Sequence, residues 1–360
     1  MSTQFYDIKV KRINRETDKA VSVFFDVPDN LKSEFNYSAG QYLTLRETIG
    51  GEDIRRAYSC STSPANGDDI AVTVKEVDGG RFSTFLNRDL KEGQVLKVMP
   101  PNGNFTLDRL SNPSNDVVLI GGGSGITPLI SIAETVLQNS PEKKVTLIYA
   151  NTAPDQIIFR ERLDALESSN TNFNVVHLIT DTEVGDWKGR IGSFDSGICL
   201  DMLQSAISTG ANENDYFLCG PQGLMDQAEL ALTRFGADKI RIHKELFTAS
   251  VPAADSFKIV SAESGQDVVD RDITVRVYGD EHRIKVESSE TVLMAAIQQS
   301  LDPPYSCQIG ACSTCRARLV SGQVMMEDHD ALTEDEIEEG YVLTCTAHPL
   351  TDDVVIDYDD

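Results

Sequence analysis

The chain has 360 residues, 40% hydrophobic and 25% charged, with 57 Asp and Glu against 32 Lys and Arg and a formal net charge of −25. That length predicts two or three domains, and the ordinary apolar fraction predicts globular folding rather than disorder. So acidic a surface repels phosphate backbones and argues against a nucleic-acid partner; no apolar run approaches the roughly 18 residues of a membrane span, and "MSTQFYDIKV" has neither a basic n-region nor an apolar h-region, so the expected location is the cytoplasm with no membrane partner.

Residues 1–110 read as antiparallel β. In "DIAVTVKEV" Ile70, Val72 and Val74 alternate with Ala71, Thr73 and Lys75, the period of a strand with two unlike faces. Turn signals such as "PANGDD" and "VDGG" recur at short spacing, which fits a small barrel. Residues 111–248 change character. "DVVLI" suits a buried parallel strand, "GGGSG" follows it, and "ITPLISIAETVL" reads as a helix with Thr127 as N-cap and Pro128 at its first position. "KVTLIYAN", "FNVVHLIT" and "YFLCG" read as further strands, "IIFRERLDALES" as a helix, and "LMDQAELALTRFG" as a helix closed by Gly236. Strands alternating with helices predict a parallel α/β sheet.

Residues 249–272, "ASVPAADSFKIVSAESGQDVVDRD", are small, polar and weakly periodic, and read as a linker. From 273 to 360 come "ITVRVYGDEHRIKV" as two strands and a turn, "TVLMAAIQQSL" as a helix, a cysteine-rich loop, and "DVVIDYDD" as a closing strand. This last segment holds 18 Asp and Glu against 5 Lys and Arg. Docking of a basic partner and plain solubility both account for that charge, and "EDHDALTEDEIEEG" reads as a solvated face with a helix.

There are seven cysteines. An odd number, with no leader, argues against a disulfide framework. Four of them, Cys307, Cys312, Cys315 and Cys345, follow a C-x4-C-x2-C pattern with the fourth after 29 intervening residues, the spacing of a plant-type 2Fe–2S site. Structural zinc usually calls for two C-x2-C or C-x2-H pairs, and only one is present. Gly310, Ala311, Ser313 and Thr314 are small enough to let backbone amides approach the sulfides. Cys60 and Cys199 suggest only packing, and the five histidines are scattered.

The cysteine segment resembles the plant-type ferredoxin domain, which implies a β-grasp fold. "RRAYSCSTSP", "EVDGGRFSTFL", "GGGSGITP", "CGPQGLM" and "HKELF" together resemble the ferredoxin–NADP reductase superfamily. The resemblance implies FAD, with Tyr58 against the isoalloxazine, Arg56 on the flavin phosphates and Ser59 near N5. An aromatic plane packs on a flavin plane, and a guanidinium pairs with phosphate through its fork of donors. It puts Ala57 and Val74 among the flavin contacts, and Gly80, Arg81, Phe82, Ser83 and Thr84 at the pyrophosphate. Gly123, Ser124, Gly125, Thr127 and Pro128 would hold NADPH or NADH by close backbone approach at a helix start, with Cys219, Gly220 and Pro221 beside the nicotinamide. Glu245 and Phe247 would lie close to the flavin. Ser59, Cys219 and Glu245 are the implied catalytic residues.

Asn151 and Arg160 would meet the adenosine end. Thr152 stands where several relatives of this kind carry arginine, which weakens a 2′-phosphate site. Arg160 is the implied phosphate partner unless it caps or salt-bridges its own helix, and Arg162 and Arg190 are nearby alternatives.

The order flavin barrel, nicotinamide domain, ferredoxin domain resembles oxygenase reductases, implying an NAD(P)H:acceptor oxidoreductase that feeds an oxygenase component. The stretches "CGPQGLMDQAE", "SGQVMMEDHDALTEDEIEEGYVLTC" and "DDVVIDYD" are most similar to the reductases that serve phenylacetyl-CoA epoxidases, while ketosteroid hydroxylase reductases share the layout. An electron-relay protein that never meets a nicotinamide is the contrasting reading, disfavoured by the two nucleotide motifs.

Overall fold

The computed structural model describes residues 4–181, 185, 187–247, 258–260, 268–329 and 331–360, with 258–260 described as backbone. Of the expected linker, 249–257 and 261–267 lie outside the described residues. The chain forms two compact units, Met1–Phe247 and Thr248–Asp360.

The first unit opens with six antiparallel strands: β1 (Tyr6–Thr17), β2 (Ala20–Asp26), β3 (Tyr42–Ile49), β4 (Glu52–Ser59), β5 (Ala71–Lys75) and β6 (Val95–Asn102). Their order is β4-β3-β6-β1-β2-β5, and an antiparallel bridge between Cys60 and Val72 joins the two ends. Gly50 and Gly51 both have positive φ, 63° and 86°, which lets two residues turn β3 back onto β4. Ile8, Val10, Val23, Leu43, Leu45, Val72, Val74 and Val98 fill the interior. A short helix α1 (Arg81–Thr84) follows β5. The alternation of β5 is real, but its second face is covered too: Ala71 is 0% and Thr73 3% exposed. The Thr73 hydroxyl is 2.7 Å from both the Ser22 and the Ser61 hydroxyl, so the polar side chain is buried with its hydrogen bonds satisfied.

The same unit continues as a parallel sheet of β7 (Asp116–Gly122), β8 (Val145–Asn151), β9 (Phe173–Ile179), β10 (Arg190–Ile191), β11 (Asn214–Cys219) and β12 (Ile242–Glu245), with helices α2 (Ile126–Asn139), α3 (Arg160–Ser169), α4 (Ser196–Ala206) and α5 (Gln222–Phe235). The strand order is β10-β9-β8-β7-β11-β12. Chain direction across the sheet reverses between β7 and β11, and parallel α/β sheets bind ligands outside the strand carboxyl ends at such a switch point.

Three local features differ from the sequence expectation. Thr127 is not the N-cap: Gly123–Gly125 form a 3-10 turn that runs into α2 at Ile126, and the Thr127 hydroxyl donates to the Ser124 carbonyl at 3.0 Å. Residues 157–159 are not helical, because Phe159 sits in the left-handed region at φ 63° and α3 starts after it. Helix α4 has no counterpart among the expected elements, although Asp195 caps it by accepting from the Gly197 and Ile198 amides at 2.9 Å each. Gly236 ends α5 as expected, at φ 94°.

The second unit contains β13 (Lys258–Val260), β14 (Arg271–Val277), β15 (Asp280–Val286), helix α6 (Val292–Gln298), β16 (Arg316–Ser321), β17 (Val324–Met326), α7 (Glu334–Glu338), β18 (Tyr341–Leu343), β19 (Ala347–Pro349) and β20 (Val355–Asp357). Five strands order as β15-β14-β20-β16-β18, with β14 and β20 parallel and the other pairs antiparallel, which is a β-grasp sheet. Tyr278 and Gly279, at φ 56° and 82°, make the two-residue turn of its first hairpin. β13, inside the expected linker, pairs with β17, and β14 already begins at Arg271. The acidic stretch does carry a helix, α7, started by a capping box between Thr333 and Glu336. Among the described residues no helix is long and apolar enough to cross a membrane.

Candidate functional site

Strand β4 ends in the segment Arg56–Ser59. Arg56 is exposed, Ala57 and Tyr58 are half-buried, and Ser59 is buried. Tyr58 lies 6.1 Å from the Phe82 ring, and burial raises its phenol pKa. Ser59 donates to Glu245 at 3.0 Å across 186 residues of sequence, so two of the expected catalytic residues meet. Burial pushes the Glu245 carboxyl up to about 8, against the opposing effect of the Ser59 hydrogen bond. A carboxyl held near neutrality can give or take a proton beside a redox ring. Phe247, two residues on, is 38% exposed.

The α1 turn is arranged differently from the expectation in detail. Phe82 packs in the barrel interior. The Ser83 hydroxyl is committed, accepting from the Val77 amide and donating to the Gly80 carbonyl, both at 3.1 Å. Arg81 reaches the β3–β4 hairpin, donating to Glu52 at 2.5 Å and to the Ile49 carbonyl. What remains for an anion is the first-turn amides of Arg81, Phe82 and Ser83, which have no intrahelical acceptor, beside half-buried Thr84. Val74 points into the barrel, and its carbonyl accepts from Asn87 at 3.1 Å, so its side chain is core.

At the switch point, the glycine loop and the end of β11 touch backbone to backbone. A Cβ on Gly125 would fall 2.0 Å from the Cys219 carbonyl oxygen, and one on Gly220 would fall 2.9 Å from the Gly122 nitrogen. These glycines are therefore dictated by packing as well as by any ligand. Gly123, at φ 54°, and Ser124 stay half-exposed at the mouth. Cys219 is fully buried, and burial, then the Glu245 charge, raises its thiol pKa. Pro221 is exposed next to it. Pro128 is buried inside α2.

The Asn151 side-chain amide at the end of β8 is 5% exposed; the Tyr149 hydroxyl lies near enough to act on it, but neither amide atom completes a hydrogen bond of ordinary geometry among the described residues. The neighbouring Tyr149 hydroxyl is committed to the Gly123 carbonyl at 2.8 Å. A buried amide left orphaned at a strand's carboxyl end fits a polar ligand. Sequence reading missed Lys75, whose Nζ lies 3.8 Å from where a Gly123 Cβ would stand. Burial, then repulsion from Lys19, lowers its pKa. The one available signal was a lone cation ending an otherwise buried strand.

The three arginines separate. Arg162 is engaged by Glu134 through two contacts of 2.6 Å. Arg190 donates to Ser205 at 3.1 Å. Arg160 is exposed, stacks over Trp187 at 5.3 Å from the ring centre, and makes no ion pair among the described residues.

In the second unit the cysteine loop has no regular structure, and Gln308 and Gly310 take positive φ of 61° and 76°. The Ile309 amide donates to Cys307 Sγ at 3.5 Å and the Gly310 amide to Cys345 Sγ at 3.3 Å, which brings the distant fourth cysteine to the loop. Cys312, with Cys345 next in effect and the Ile309 and Ala311 amides contributing, draws the Cys307 thiol well below its ordinary pKa. Cys312, Cys315 and Cys345 are 6%, 2% and 6% exposed, while Cys307 is half-buried beside exposed Ile309. The donor set, four thiols with amides aimed at sulfur, is what a 2Fe–2S cluster requires. Among the described residues no three His, Cys, Asp or Glu side chains are grouped as a site for a single metal ion.

Residues 7–107 match the oxidoreductase FAD-binding domain, 119–229 the oxidoreductase NAD-binding domain, and 275–350 the 2Fe-2S iron-sulfur cluster binding domain. A component of the 1,2-phenylacetyl-CoA epoxidase of Escherichia coli K12 is 36% identical over 359 residues, covering 99% of this chain and 98% of that one. The ferredoxin reductase component of the Rhodococcus rhodochrous 3-ketosteroid-9-alpha-monooxygenase is 35% identical, covering 98% and 96%. Among solved structures, phthalate dioxygenase reductase, described as a modular structure for electron transfer from pyridine nucleotides to [2Fe-2S], superposes with a TM-score of 0.58 at 21% identity, covering 98% of each chain. A barrel with the Arg56–Ser59 motif, a parallel sheet with its glycine loop at the switch point, and a β-grasp unit with four converging thiols follow one another along this chain, and the chain belongs to the family of flavin- and 2Fe–2S-containing oxygenase reductases.

Proposed function

We propose that this chain is the reductase of a multicomponent oxygenase, and that its partner is a phenylacetyl-CoA epoxidase component in phenylacetate degradation. The observation that carries the reading is the convergence of Ser59, Cys219 and Glu245 at the mouth of the glycine loop. The Ser59–Glu245 bond is 3.0 Å, Cys219 backs the loop at Gly125, and the Glu245 charge is felt at Cys219. FAD held by the barrel would supply the exchange between a two-electron hydride donor and one-electron release, and a 2Fe–2S cluster held by Cys307, Cys312, Cys315 and Cys345 would supply one-electron carriage.

The chain's own residues do the rest. Exposed Arg56 and the first-turn amides of α1 hold the FAD phosphates. Tyr58 offers its ring face. Lys75 and the Asn151 amide receive the dinucleotide above the glycine loop, and Arg160, paired with no acid among the described residues, meets a 2′-phosphate. Ser59 and Glu245 share a proton beside the ring, and Cys219 seats the nicotinamide. Cys307, the least buried thiol of the four, marks the face where an oxygenase collects electrons. The match to the E. coli epoxidase component along nearly both whole chains favours that oxygenase. A ketosteroid hydroxylase as partner is the second reading, supported by 35% identity over 358 residues.

Two measurements test this. The purified protein should oxidise NADPH or NADH with ferricyanide, release FAD on denaturation, and show a 2Fe–2S absorption spectrum. It should support epoxidation by a phenylacetyl-CoA epoxidase oxygenase and not hydroxylation by a ketosteroid oxygenase. Release of FMN alone, or inertness toward both nicotinamides, refutes the flavin or the nicotinamide part.

A further inference from the structure

Five residues directly after Ser59 read Cys60-Ser61-Thr62-Ser63-Pro64. Several of the polar groups they offer are taken by α2 or α3. Ser131 on α2 donates to the Thr62 carbonyl at 2.7 Å, and the hydroxyl of Thr135, one turn on, is 2.7 Å from the Ser63 hydroxyl. Between them on the same helix face, Glu134 is 6% exposed and grips Arg162 of α3. Arg162 donates further to the Ser61 carbonyl at 3.0 Å, and Asn66 donates to Glu134 at 3.1 Å.

Helix α2 therefore does two things at once. Its first residue follows the glycine loop, and its middle holds the stretch that continues the Tyr58–Ser59 strand. On another side this stretch borders a cavity of about 590 Å³ lined in part by Ser61, Thr62, Glu134 and Arg162. Residues 60–63 are at most 3% exposed and are tied to the barrel through the Gln41 and Ala71 backbones. The hydrogen bonds from Ser131, Thr135 and Arg162 add the link from that barrel segment to α2 and α3.

We propose that the Glu134–Arg162 pair is a positioning device for hydride transfer: it sets where Tyr58 and Ser59 stand relative to the glycine loop at the head of α2. The inference rests on the reading of this cleft as the site of hydride transfer. Neither residue touches the reacting atoms. They act through the Ser61 carbonyl, two residues beyond Ser59, and through the helix that carries the loop. Displacement of reacting groups by about 1 Å can cost on the order of a hundredfold in rate, so a clamp at this position bears on the rate constant more than on affinity.

The test is Glu134→Gln in the full-length holoprotein, which keeps the shape of the side chain and removes the charge that grips Arg162. Flavin reduction by NAD(P)H, followed by stopped flow, should slow by about tenfold or more. The KM for the nicotinamide should stay within about twofold, and flavin content should be unchanged. The deuterium isotope effect from 4-deuterated cofactor should grow as the chemical step becomes limiting. Independently of activity, amide exchange across residues 60–66 should accelerate. The charge swap Glu134→Arg with Arg162→Glu should restore much of the rate.

An unchanged reduction rate overturns the proposal. So does a loss that tracks flavin release or a raised KM, which marks a structural role alone. Should Glu134→Gln fail to fold, Arg162→Lys keeps the charge but removes the fork that joins Glu134 to the Ser61 carbonyl, and an unchanged rate there overturns it equally. A wild-type protein inert to both nicotinamides refutes the functional reading, and this inference with it, whereas an active wild type beside an equally active variant refutes the inference alone.

Discussion

The two units assemble their sites in opposite ways. The cluster site of the second unit draws three of its four thiols from nine consecutive residues, Cys307 to Cys315, and borrows only Cys345. The site of the first unit joins Ser59 to Glu245 across 186 positions and backs Cys219 against Gly125. A loop that carries its own ligands depends little on the surrounding fold. A site made of strand ends exists only while the sheet that aligns those ends is intact. Damage to a ligand should therefore be absolute but confined in the second unit, and graded but spread through the framework in the first.

The sharpest test of that contrast is Cys312→Ser. Each thiol completes the tetrahedral coordination of an iron, so the 2Fe–2S spectrum should vanish. FAD content and ferricyanide reduction with NAD(P)H should persist, and electron delivery to the oxygenase should fall to background. A retained iron–sulfur spectrum would sink the ligand assignment.

Next in size is Gly125→Ala. Its methyl must displace the backbone at Cys219, 2.0 Å away, and such overpacking typically costs about 1–3 kcal/mol. NAD(P)H oxidation should drop by about tenfold or more and the melting temperature of the flavin unit should fall, while the cluster spectrum is untouched. If the cluster bleaches as well, the two units are less independent than their separate sites imply.

Arg160→Ala should act more gently. With no acid paired to Arg160 among the described residues, removing it should raise KM for NADPH several-fold and leave KM for NADH and the melting temperature unchanged, because only phosphate binding is lost. Equal loss with both cofactors would show that its stacking on Trp187 is structural.

The last test reads a pH slope rather than a loss of activity. The Glu245 carboxyl titrates at about 8 in the fold, above its ordinary value of 4.5. A raised carboxyl leaves the folded state holding a proton that the unfolded state has lost, so its contribution is fully present below about pH 4.5 and declines as pH rises toward 8. Denaturant titrations of the flavin-free protein at pH 5, 6.5 and 8 should show stability falling across that window, and Glu245→Gln should flatten the fall. An identical slope in the variant would place the titrating group elsewhere.

The same contrast explains what can be read from the chain alone. The cysteine spacing, the Tyr278–Gly279 hairpin and the strand before "GGGSG" are local patterns, and local patterns survive in one dimension. The N-terminal boundary of α2 escapes such a reading because a 3-10 turn through the glycines merges into the helix, which no cap residue announces. No residue type at Phe159 announces a left-handed backbone, and the strand at Lys258–Val260 depends on a neighbour far along the chain, β17. Lys75 and the Glu134–Arg162 pair are illegible for the same reason: Glu134 and its partner stand 28 positions apart and Arg162 and Ser61 101, and nothing in either segment names the other.

The Ser59–Glu245 hydrogen bond also bears on the order in which the protein is made. Contacts of such long sequence separation form late, because the chain between them must be closed first. β12, which carries Glu245, pairs only with β11 among the described strands. At roughly 5–20 residues per second, synthesis takes on the order of ten to forty seconds to get from Ser59 to Glu245. Once β6 has been made, and for the rest of that interval, the nascent barrel presents Tyr58 and Ser59 without the strand that carries Glu245. FAD capture in its finished geometry therefore waits for the end of the α/β sheet, and a chaperone or a loosely held flavin has that long to shield the open barrel.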